Sequence, residues 1–85
     1  MDDGTRVAQV DTDTGWRLEL FQIGTSAGDR FRVDVSNPEG RLVFSRSMAK
    51  SIDECCEGVR TFFATERLGH TAVVLVALVE AELAP

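Results

Sequence analysis

The 85-residue chain has only two cysteines, one histidine and one lysine, and each shortage excludes something. Cys55 and Cys56 are neighbours in sequence. Their Cα atoms lie about 3.8 Å apart, too close for an ordinary disulfide. Such a pair fits a reducing, cytoplasmic setting. A structural zinc site generally draws on four ligands, and two adjacent thiols with His70 do not supply them. A thioredoxin-like centre needs two intervening residues between its thiols, which this pair lacks. No apolar run approaches the roughly 18–20 residues of a membrane helix. Met1-Asp2-Asp3-Gly4 lacks the basic and apolar regions of a signal peptide. Seven glycines and two prolines are too few for a collagenous or low-complexity chain. No metal, cofactor or membrane partner is implied.

The composition that remains is 44% hydrophobic and 27% charged, with a net charge of −5. That is a globular balance whose acidity repels nucleic acid at long range. A domain of this length buries only roughly 60–65% of its unfolded surface. Association with a second copy would add burial, so a homodimer is expected.

Residues 1–14 are polar and acidic and read as a flexible tail, with room for a short edge strand at Arg6–Val10. Residues 15–85 read as a single α+β domain. Trp16–Ile23 and Arg30–Val35 alternate with period two, and Arg41–Ser45 follows with Leu42 and Phe44 expected inward. Gly24–Asp29 and Asn37-Pro38-Glu39-Gly40 read as turns, the latter of type I. Together these segments predict a three-stranded antiparallel meander. Ser51 and Glu54 have the spacing of a capping box. Ile52, Cys55, Cys56, Val59, Phe62 and Phe63 form the apolar stripe of one amphipathic helix, with Gly69 as its expected stop. Ala72–Val79 is a continuous apolar run: its first half favours strand, its second helix. The reading adopted is a helix over about 71–83, with strand as the competitor.

The segment from Leu18 to Phe62 carries Gly28-Asp29-Arg30-Phe31-Arg32-Val33, Pro38-Glu39-Gly40-Arg41-Leu42-Val43, Ser45-Arg46-Ser47 and Cys56-Glu57-Gly58-Val59. It resembles the YegP-like family of small bacterial and archaeal proteins. The resemblance implies a βββα unit and assigns no reaction. Integrase arm-type DNA-binding domains share that order of elements, an analogy of topology only.

Two surfaces stand out as candidates. The first is the apolar C-terminal segment, which reads either as a core element of the single chain or as a dimer interface; in the second case Val73, Val74, Val76, Leu78 and Val79 are the expected contacts. The second is the outer sheet face, where Arg17, Arg32 and Arg41 with Phe21 could hold an anion or stack nucleic-acid bases. Glu19 and Asp34 share that face and could equally neutralise it by cross-strand pairing. His70 is expected at the carboxyl end of the first helix, without a nucleophile partner. The cysteines fit the apolar stripe as small buried side chains. The leading expectation is a non-catalytic module working through protein–protein contact. Nucleic-acid binding is the alternative, followed by a small enzyme or ligand-binding protein.

Overall fold

The computed structural model describes residues 4–85. The elements run β1 (Thr5–Asp11), β2 (Arg17–Thr25), β3 (Gly28–Ser36), β4 (Leu42–Ala49), α1 (Ile52–Thr65) and α2 (Gly69–Leu83). The strands form one antiparallel sheet in sequential order, and both helices cover the same face. The fold is therefore α+β, with one strand more than the expected three-stranded meander and with α2 on the segment read as a helix over about 71–83.

The added strand lies inside the expected tail. Thr5–Asp11 pairs along β2, setting Ala8 opposite Leu20 and Val10 opposite Leu18. Ala8 and Val10 are buried. Their alternation was hard to read because the ladder shifts between Arg6 and Ala8, leaving Val7 out of register. The rest of the expected tail includes the β1–β2 turn, and Met1–Asp3 lie outside the described residues.

The turns follow local chemistry. In both the β1–β2 and β3–β4 connections a glycine takes positive φ: Gly15 at 96° and Gly40 at 82°. The Gly40 amide donates to the Asn37 carbonyl at 2.9 Å, and the Asn37 side chain accepts from the Glu39 and Arg41 amides. This is the expected tight turn, closed by an Asx side chain. Past it the ladder slips: Ser36 pairs with Leu42 but Val35 with Phe44. Val43 is the extra residue. The slip turns Leu42 outward, leaving it 55% exposed rather than inward as its alternation implied. Phe44 stays on the covered face.

Ser51 caps α1 by accepting the Glu54 amide at 3.2 Å. The Glu54 carboxylate does not complete the reciprocal half of a capping box. It accepts from the Lys50 amide and from Arg46 instead. α1 also ends earlier than expected. Arg67 adopts φ 60°, its amide donates to the Ala64 carbonyl, and the Leu68 amide reaches back to Phe63. That is a Schellman closure with arginine where glycine is usual. Gly69 consequently starts α2 and does not stop α1, and His70 sits in the first turn of α2. The apolar segment read as a helix over about 71–83, with strand as the competitor, is helical from Gly69 to Leu83.

The core joins Leu18, Leu20, Val33 and Val35 of the sheet to Val59 and Phe63 of α1 and Leu75 and Val79 of α2. No polar or charged residue among those described is buried. Trp16 meets Phe63 edge-on at 5.2 Å between ring centroids, closing one end of this layer.

Two substitutions test this architecture. Ser51→Ala should lower unfolding stability by about 1 kcal/mol in a denaturant titration, because the Glu54 amide loses its acceptor. Val76→Glu should remove the folded circular dichroism signal altogether. It buries an unpaired carboxylate, a loss of at least roughly 3–5 kcal/mol in a small domain.

Candidate functional site

The five C-terminal candidates do not form one surface. Val76 and Val79 are 3% and 1% exposed and belong to the core of the single chain. Val74 and Leu78 are half-buried along the flank of α2, and Val73 is 63% exposed. Val76 and Val79 are therefore corrected from interface to interior. An α-helix turns about 100° per residue, so the buried stripe Ala72, Leu75, Val76 and Val79 leaves the opposite side outward. That side carries His70, Val73, Ala77, Glu80 and Ala81, all exposed. Thr71–Val79 contains no charge. The outward face is hard to choose from sequence because the middle of the helix, Thr71–Val79, has no charged residue to mark solvent.

The arginine candidates sit largely as expected but are already engaged. Phe21 pairs across the ladder with Arg32, whose guanidinium carbon lies 4.3 Å from the Phe21 ring centroid. Arg32 Nε is 3.4 Å from Asp34 Oδ2. Arg17 Nε donates to Asp11 Oδ1 at 2.8 Å, and Arg6 reaches Glu19 at 3.1 Å. Asp34 also accepts from Ser45 at 2.7 Å. The hydrogen bond from Arg17, helped by Gln9, holds the Asp11 carboxyl below its ordinary value. Three cations and three anions thus cancel across β1, β2 and β3. Arg41 does not join the row. It is exposed in the connection before β4 and makes no ion pair with any described residue.

Beyond these surfaces, a groove of about 470 Å³ separates β4 from α1. Phe44 and Phe62 form its apolar wall, with ring centroids 5.1 Å apart. Gly58 sits where a side chain would press on Phe44 and Arg46 at 3.3 Å. Arg46, at the rim, is taken by Glu54 at 3.0 Å. A smaller recess of about 240 Å³ places His70 and Thr71 beside Thr12, Asp13 and Thr14 of the β1–β2 turn. The aspartates of that turn gather no metal-ligating cluster among the described residues.

Both thiols are buried and unbridged. Burial, and secondarily the neighbouring Cys56, pushes the Cys55 thiol up to about 11, and burial raises Cys56 as well. A thiol held in its protonated form is a poor nucleophile and a poor metal ligand. Comparison with family models, curated proteins and solved structures finds no match for this chain.

The raised thiol gives a signed pH dependence. Between an unfolded value near 9 and a folded value near 11, the folded chain keeps a proton that the unfolded chain releases. Stability should therefore fall as pH rises through that window. Cys55→Ala should flatten the fall in urea titrations, and an unchanged slope would refute the assignment. In the native state at neutral pH, both thiols should resist an aromatic disulfide reagent that modifies them fully in denaturant.

Proposed function

We propose that this chain is a non-catalytic interaction module that works through protein–protein contact and associates as a homodimer. The observation that carries this reading is the outward side of α2. α2 carries no charge from Thr71 to Val79, and within that stretch Val73 and Ala77 meet solvent between His70 and Glu80. Covering that side would complete burial that a small domain otherwise lacks. The non-catalytic part of the reading draws on the two thiols, which burial holds in their protonated form. The outer sheet face fits a solvated surface better than a nucleic-acid site, because its arginines are neutralised by Asp11, Glu19 and Asp34.

Sedimentation equilibrium over a range of concentrations tests the proposal. The wild-type chain should approach twice its 9.3 kDa mass. Val73→Glu should keep the folded spectrum and sediment as a monomer. A wild-type chain that stays monomeric throughout would defeat the homodimer. Salt-sensitive retention of single-stranded DNA, lost in Arg32→Ala, would restore the nucleic-acid alternative.

A further inference from the structure

The outward residues of α2 are spaced in a way that specifies how a second copy would lie. His70, Val73, Ala77 and Glu80 follow one another at intervals of three, four and three, the spacing of a helix–helix seam. All four are exposed, as is Ala81 beside them. The small side chains of Ala77 and Ala81 let another helix axis come near, at the low end of the usual 8–10 Å range.

Charge then selects the direction. The amino end of α2 has Arg67 just before it, offset by the neighbouring Glu66, and His70 in its first turn. It is far less acidic than the carboxyl end with Glu80 and Glu82. Arg67, His70, Glu80 and Glu82 are the groups nearest the helix ends. None of these four takes part in an ion pair among the described residues. A parallel copy would set Glu80 against Glu80 and align the two helix dipoles. An antiparallel copy sets the amino end against the acidic carboxyl end twice and opposes the dipoles.

We infer that a second copy of this chain docks on α2 antiparallel about a two-fold axis level with Leu75. The inference rests on the homodimer reading above and adds its geometry. Val73 then faces the partner's Ala77, and His70 with Arg67 faces the partner's Glu80. Because the contact is isologous, each of these pairs occurs twice. α2 is about 22 Å long, so the contact falls at the small end of stable interfaces.

Two measurements on the full chain test this arrangement. In the first, differently tagged Val73→Cys and Ala77→Cys chains are mixed under a mild oxidant. The mixed disulfide should form faster than either self-linked product, with the buried native thiols silent. The second is a charge exchange. Glu80→Arg places like charges opposite Arg67 and His70 at both ends, and should weaken dimerisation about tenfold or more at low salt. His70→Glu together with Glu80→Arg should recover most of that loss, while circular dichroism confirms that both variants fold. A dimer in which Val73→Cys links fastest to itself, or which ignores the charge exchange, overturns the antiparallel geometry and leaves the homodimer standing. A chain that is monomeric before any substitution overturns both.

Discussion

Phe63 is fully buried at the meeting of α1 and the sheet, with Trp16 edge-on at one side and Phe62 at another. Around it the covered sheet face and the two helices form one continuous apolar layer. No residue buried among those described is polar or charged, so apolar packing dominates how the helices lie, with the Arg46–Glu54 pair tying β4 to α1 at the rim. The register of every strand serves that layer. Leu18 and Leu20 match Val35 and Val33, and β1 adds Ala8 and Val10 at the edge. The meander is held in place by what covers it.

How far the sequence could be read follows from the same physics. β2, β3 and α1 carry clean periods of two and of three to four, and the two strands and the start of α1 lie close to the expected positions. Where one residue too many enters a strand, alternation misleads: Val7 hid β1, and Val43 turned Leu42 outward. The end of α1 was misplaced because Arg67, not Gly69, takes the left-handed position. Backbone closure at Phe63 and Ala64 outweighed side-chain preference there.

The candidate surfaces were legible to a different degree. That Arg17, Phe21 and Arg32 share a face could be read from alternation. Their neutralisation could be foreseen only as an option, since Asp11 and Arg6 come from a strand that had not been recognised in full. For α2 the difficulty was the reverse. Val73 and Val76 are the same residue type in the same run, yet one is 63% exposed and the other 3%. Only the position of the sheet beneath the helix separates them.

The irregularities in the two outer strands reach beyond the register they disturb. β1 is interrupted between Arg6 and Ala8, and β4 is interrupted on both sides of its middle, with Met48 at φ 62°. Bulged, twisted borders make poor templates for adding another strand. The sheet is thus closed to growth along its hydrogen-bonding direction on both sides. Fibre-like stacking through either edge strand is disfavoured.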